Sequence, residues 1–500
     1  MFVKRSVSLL VKPINNVSSV RNLTSSSSVY EAARRKRDRK GLVNEQQIEE
    51  SDVSYFPMER QGVDYELNWT LNRYSITPTF QAFRNASEKV LFQQSQGKKE
   101  ANGQISVQVA SETKSTNYYL DAEVAKTNNG NVISVAQYKQ LLELVKDHIG
   151  THKSIFVGDA ALGSSRAVEA HIRTVTGDAT NALYLNHILP RTLVGKVGDF
   201  KHPITLYLAP SLVVDSPQQY GLVGGQAFNI IDIKRGIAVI AGAQSTENIR
   251  KTLSAISQAH FVSTQTLSTS ADIYRTHDNK NILVFNDGYL LNKKFESGSV
   301  VSQGSLWNKD GVYRIFDAIS YPLESPANKK FDVIERFASP KKTVSTTPVQ
   351  FDTNEYAAPS DIVFMVKDSK GIIPPFSQLD ASQAENFFTA GYNGDSFQPF
   401  ATSEPITTSP KAKAELFKSL VEQNKSNVYI INTHSFQKDA DVDKLLSVIS
   451  SGKVTKPQSK SQYQILSPIQ LSENKVGQVD SAKINEFETN FATFLSKFKQ

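Results

Sequence analysis

At 500 residues, with 39% apolar and 9% aromatic content, the chain is too long for one ordinary hydrophobic core and implies two or three domains. A charged fraction of 21% argues against wholesale disorder, and the net charge of +7 suits a nucleic-acid or anionic partner, unless it merely reflects the first forty residues. The lack of cysteine excludes disulfides, thiolate metal sites and thiol catalysis, and the eight histidines read as scattered, so no dedicated transition-metal cage is expected.

Residues 1–28 carry Lys4, Arg5, Lys12 and Arg21 among many serines, with no acidic residue before Glu31. This basic, Ser-rich, acid-poor stretch fits a mitochondrial transit peptide and so the mitochondrial matrix, against the plainer reading of a disordered end. No segment approaches the roughly eighteen apolar residues of a membrane-spanning helix. A basic arm opens residues 29–80. Arg34, Arg35, Lys36, Arg37, Arg39 and Lys40 fall within seven positions and are the candidate contacts for RNA or other anions, or else a solvated arm. The polar and aromatic segment up to residue 80 reads as extended.

Regular alternation begins beyond it. Residues 88–103 read as a helix and a polar loop, and 104–111 as a half-buried strand paired with 117–124. Ser134 starts a helix whose apolar spacing runs to Ile149, with Gly150 as its stop. "SIFVGDAA", "AHIRTV", "PITLYLA", "FNIID" and "GIAVIAG" are strands, and 246–262 is an amphipathic helix. "NILVF", 281–285, is a buried strand followed by the turn signal Asn286-Asp287-Gly288 and by Lys293 and Lys294. Strands at 311–323 and 329–339 precede a Pro/Ser/Thr-rich connection, 342–360. Residues 361–394 read as strand, loop and helix, and 410–435 as helix then strand. The C-terminal segment, 476–500, is an amphipathic helix with Ile484, Phe487, Phe491, Phe494, Leu495 and Phe498 on one face. The fold class is α/β.

Four blocks in order resemble the ATP-dependent phosphoenolpyruvate carboxykinase family: "SIFVGDAALGSSRAVEAHIRTVT…NALYLNHILPR", "GQAFNIIDIKRGIAVIAGAQSTENIRKTLSAI", "DIVFMVKDSKGIIPPFSQLDASQAENFFTAGY" and "AELFKSLVEQNKSNVYIINTH". The resemblance runs from about Arg84 to Leu471. It implies a two-lobed fold, with an N-terminal lobe at 81–262 and a nucleotide-binding C-terminal lobe at 263–475. It also implies conversion of oxaloacetate and ATP to phosphoenolpyruvate, carbon dioxide and ADP, with Mg²⁺ on the nucleotide and Mn²⁺ at the active site.

The chain departs from the family at each catalytic element. Where the family has a glycine-rich phosphate loop ending in Lys-Thr-Thr, this sequence has Asn286, Asp287, Gly288, Tyr289, Leu290, Leu291, Asn292 and Lys293. Such a loop needs bare backbone around the phosphates, so the segment reads as a relic. The family's acidic metal loop corresponds to the stretch around Gln303, and its metal-binding His to Ser268. Lys251 keeps the other metal position, and a lone lysine does not hold Mn²⁺. Glu112 stands where a substrate-binding Arg is expected, and Arg173 keeps a family arginine or a simple salt bridge. The expectation is a catalytically inactive member with no cofactor. It would be a structural or binding component in a mitochondrial assembly, with RNA or the ribosome as one partner class. The alternative is an active, divergent carboxykinase in gluconeogenesis.

Overall fold

A computed structural model describes residues 71, 75–95, 97–99, 105–108, 115–163, 168–189, 203–224, 227–243, 245–286, 288–290, 293–324, 330–336, 355–392, 394, 396–402, 407–455, 457, 462–470 and 480–498. The expected transit peptide, the basic residues Arg34 to Lys40, and Glu112, Asp287 and Asn292 lie outside them.

Two large mixed sheets organise the chain, as an α/β reading requires. The first has eight strands in the spatial order Gln81–Arg84, Ser154–Leu162, Ala170–Thr176, Ile204–Ala209, Ile237–Ala241, Phe228–Asp232, Thr116–Tyr119, Asn131–Val132. Its central strands are continuous apolar runs because helices cover both faces. Leu206, Leu208, Ala238 and Ile240 pack with the helices Ala179–Ile188 and Thr246–Ser263. Tyr207, Ala209, Val239 and Ala241 point the other way, to the helix Val135–Gly150.

The start of that last helix is legible in sequence. Ser134 accepts from the Gln137 backbone while Gln137 reaches back to the Ser134 N–H, which satisfies two otherwise orphaned donors. Its end is not where expected. Gly150 is still helical and Thr151 caps, while the Gly150 carbonyl accepts from the Thr79 N–H and hydroxyl at 3.1 and 2.9 Å. A Cβ on Gly150 would come within 3.1 Å of the Thr77 carbonyl, so this glycine serves close chain approach rather than termination.

The second sheet has the order Gly298–Ser302, Asp272–Thr276, Asn281–Phe285, Asp361–Val366, Asn427–Asn432, Phe376–Leu379, Ser467–Pro468. Leu283, Phe285, Ile362, Phe364 and Ile430 face the helices Ala381–Ala390, Pro410–Asn424 and Ser481–Phe498. The final helix buries Ile484, Phe487 and Phe491, as its periodicity anticipates. Ile282, Val284, Val363, Met365 and Ile431 face the opposite helix, Asp439–Ser451, which the sequence reading passes over.

Two four-stranded sheets complete the described residues. One holds Leu267–Thr269, Ser305–Trp307, Val312–Arg314 and Glu355–Tyr356. In the other, Ile105–Gln108 pairs with Lys330–Arg336 and Lys98–Lys99, not with Thr116–Tyr119 as expected. Tyr118 and Tyr119 are both buried, so their strand belongs inside the large sheet, beside Phe228–Asp232. Residues 122–124, taken as the end of that strand, instead open the short helix Ala122–Thr127, capped by Asp121.

Three neighbouring strands of the first sheet share one buried carboxylate. Asp159 faces Arg173 across the ladder and meets its Nε at 2.6 Å, and the Nε of Arg84 lies 2.8 Å from the other oxygen. All three side chains are almost fully shielded from water. Removing one member of such a group leaves charge stranded in low dielectric. Asp159→Ala is expected to lower the unfolding free energy by about 3–5 kcal/mol in urea denaturation; a loss under about 1 kcal/mol would show the group to be dispensable.

Candidate functional site

The candidate site grows from the strand Asn281–Phe285, held between Asp272–Thr276 and Asp361–Val366. Phe285 is fully buried and stacks on Phe364 at 4.9 Å. Asn286 then turns the chain. Its amide donates to Asp272 at 3.0 Å and to the Val284 carbonyl at 3.1 Å, and its oxygen accepts from the Leu290 N–H at 3.4 Å. Gly288 takes φ +72°, the left-handed conformation for which glycine is suited.

The turn leads into a packed loop. Leu290 is 1% exposed and lies in the apolar cluster with Val442, Leu445 and Leu446 of the helix Asp439–Ser451. The Lys293 ammonium sits 2.6 Å from Asp439 and 3.2 Å above the Tyr289 ring centre. The Tyr289 hydroxyl donates to the same Asp439 oxygen at 2.7 Å. The hydrogen bonds from Lys293 and Tyr289 hold the Asp439 carboxyl below its ordinary pKa. One turn along the helix, Asp443 accepts the Glu296 N–H at 2.6 Å and the Ser297 N–H at 3.1 Å, and also binds the Ser297 hydroxyl. Two carboxylates on one helix face thus hold Tyr289, Lys293, Glu296 and Ser297. Sequence reasoning missed both, although Val442, Leu445, Leu446 and Ile449 repeat at helical spacing before Gly452.

Asp272 stands beneath this turn. It is buried and accepts from Asn286 and from the Gly304 N–H, the latter at 3.2 Å. Desolvation raises its pKa to about 6, against the opposing hydrogen bonds and the Arg250 charge. Gly304 itself, at φ +76°, forms the turn that carries half-buried Gln303.

The other sequence-derived positions have ordinary surroundings. Lys251 pairs with Glu247 at 2.6 Å, one turn away on the same helix. Ser268 is buried at the edge of a mostly apolar cleft between the helices Thr246–Ser263 and Pro410–Asn424, with no hydrogen-bond partner for its hydroxyl. Arg173 belongs to the buried Asp159 group. Among the described residues no cluster of three or more His, Asp or Glu side chains suits a metal ion.

Comparison with known proteins agrees with this architecture. A family model, phosphoenolpyruvate carboxykinase, matches residues 84–285 and 335–458, well over half of the chain. The chain belongs to the ATP-dependent phosphoenolpyruvate carboxykinase family. It is a divergent member. A phosphoenolpyruvate carboxykinase (ATP) of Campylobacter jejuni subsp. jejuni serotype O:23/36 is 25% identical over 350 residues, covering 59% of this chain. Its counterparts from Bacillus cytotoxicus and Sulfurimonas denitrificans are 22% and 23% identical, each over 60% of this chain. The matched region spans 65% of the length of each of these carboxykinases. The first match breaks off at Phe285, the residue that enters the packed loop.

Asp272 makes stability depend on pH. Its folded-state pKa lies above the ordinary value of 3.8, so between about pH 4 and about 6 the folded chain holds a proton that the unfolded chain has released. This contribution therefore falls as pH rises through that window. Asp272→Asn is expected to flatten the decline in urea-unfolding free energy between pH 4 and 6; an unchanged slope would show that Asp272 does not titrate there.

Proposed function

We propose that this carboxykinase-family chain no longer performs ATP-dependent decarboxylation of oxaloacetate and instead works as a structural or binding component of a larger assembly in the mitochondrial matrix. The observation that carries the reading is the seating of Tyr289, Leu290, Lys293, Glu296 and Ser297. A phosphate loop supplies inward-facing N–H groups and a free lysine to a triphosphate. Here Leu290 occupies an apolar cluster, Lys293 is neutralised by Asp439, and two N–H groups of the loop end on Asp443. Ser268 and Lys251 support it, since a buried hydroxyl and a lysine paired with Glu247 form a poor set of ligands for a divalent cation.

The basic residues Arg34 to Lys40 favour RNA, in a ribosomal setting, as the partner class. The Ser-rich, acid-poor N-terminal stretch favours the matrix. Family membership favours the alternative, an active divergent carboxykinase with its own arrangement around the Asn286 turn.

Thermal unfolding with and without MgATP and Mn²⁺ separates the two. A nucleotide at a hundred times its Kd stabilises a protein by about 2.7 kcal/mol, a shift of several degrees. No shift, together with no phosphoenolpyruvate formed from oxaloacetate, is the expected outcome; ATP-dependent product formation would overturn the reading.

The assembly role is tested by tagging the chain in mitochondria and sizing it before and after ribonuclease. Migration with a large particle is expected, and release on digestion would assign the contact to RNA. Migration as a lone monomer would remove the assembly role while leaving the loss of catalysis untouched.

A further inference from the structure

The spacing His148-Ile149-Gly150-Thr151-His152 is a metal-ligand spacing that the reading of scattered histidines overlooks. His148 lies in the last turn of the helix Val135–Gly150, and His152 comes directly after the cap residue Thr151. The two rings meet edge to face with centres 4.9 Å apart. His152 Nδ1 lies 2.9 Å from the His148 carbonyl oxygen. A carbonyl only accepts, so this nitrogen carries a proton, which leaves Nε2 as the position able to ligate a metal. That Nε2 is 3.3 Å from the Ser211 hydroxyl, and His148 Nε2 is 3.0 Å from the same oxygen. Gly177 lies against the His152 ring; a Cβ there would stand 2.2 Å from Cγ. A backbone hydrogen bond, a glycine and a neighbouring imidazole therefore hold the ring in one orientation.

We propose that His148 and His152, converging on the Ser211 hydroxyl, form a surface site for a divalent transition-metal ion of the Cu²⁺ or Zn²⁺ class. The two Nε2 atoms are the ligands. The Ser211 hydroxyl, which lies beside both, is a third oxygen donor or a hydrogen-bond partner for a bound water, and water fills the remaining positions. The Nδ1 contact to a main-chain carbonyl is the arrangement that orients a metal-binding imidazole and raises its donor strength. Without an ion the Ser211 hydroxyl bridges the two rings, donating to one Nε2 and accepting from the other, and a divalent cation would replace that bridge.

Titration calorimetry of the full chain with CuCl₂ and ZnCl₂ at pH 7.5 tests the site. One equivalent is expected to bind, with Cu²⁺ tighter than Zn²⁺. His148→Ala and His152→Ala should each weaken Cu²⁺ binding by at least about tenfold, since loss of an outer-sphere partner alone costs that much. Equal binding by the wild type and the double variant would place the ion elsewhere and overturn the proposal. If the variants fail to fold, the Cu²⁺ electron paramagnetic resonance spectrum of the wild type decides: coupling to two imidazole nitrogens is expected, and one or none overturns the site.

Discussion

Burial of both faces of the two large sheets is the constraint on which the rest of the molecule depends. Successive residues of Ile204–Ala209 point into different apolar clusters, and so do those of Asn281–Phe285 and Asp361–Val366. A strand in that position tolerates few changes of size and almost none of polarity. A loop beyond its end is bound by no such rule. The strand Asn281–Phe285 is held to its apolar character by that rule, and the first stretch matched by the family model ends with it.

The loop has acquired support of its own. Its N–H groups and its lysine are answered by Asp439 and Asp443, on a helix about 150 positions later in the chain. A buried or half-buried donor needs an acceptor, and here the Glu296 and Ser297 N–H groups and the Lys293 ammonium have theirs within the protein. Leu290 fills an apolar cluster, and the backbone at Glu296 and Ser297 takes an acidic partner.

The sequence carried much of the fold. Apolar runs located the central strands, the Ser134 capping box located a helix start, and the block from Asp361 to Tyr392 carried the family likeness. The failures share one cause, which is long-range pairing. Nothing near Ile105–Gln108 signals that its partner is Lys330–Arg336. Nothing near Lys293 signals Asp439. The burial of both Tyr118 and Tyr119 breaks the alternation on which a half-buried hairpin was inferred. At the candidate site, residue types suggested a departure from the family's loop, whereas the contacts of Tyr289, Lys293 and Ser297 with Asp439 and Asp443 are visible only in three dimensions. The histidine pair differs again: its spacing was legible, and only the shared Ser211 oxygen gives the spacing meaning.

The ladder between Ile105–Gln108 and Lys330–Arg336 stitches an early segment to a late one, across more than two hundred residues of intervening chain. The halves are consequently not separable modules. Expressed alone, either piece would display a row of unanswered main-chain groups along an open strand, a template for self-association. A protease nick between them would instead leave a clasped pair. Any truncation meant to isolate one half must carry the opposing strand with it.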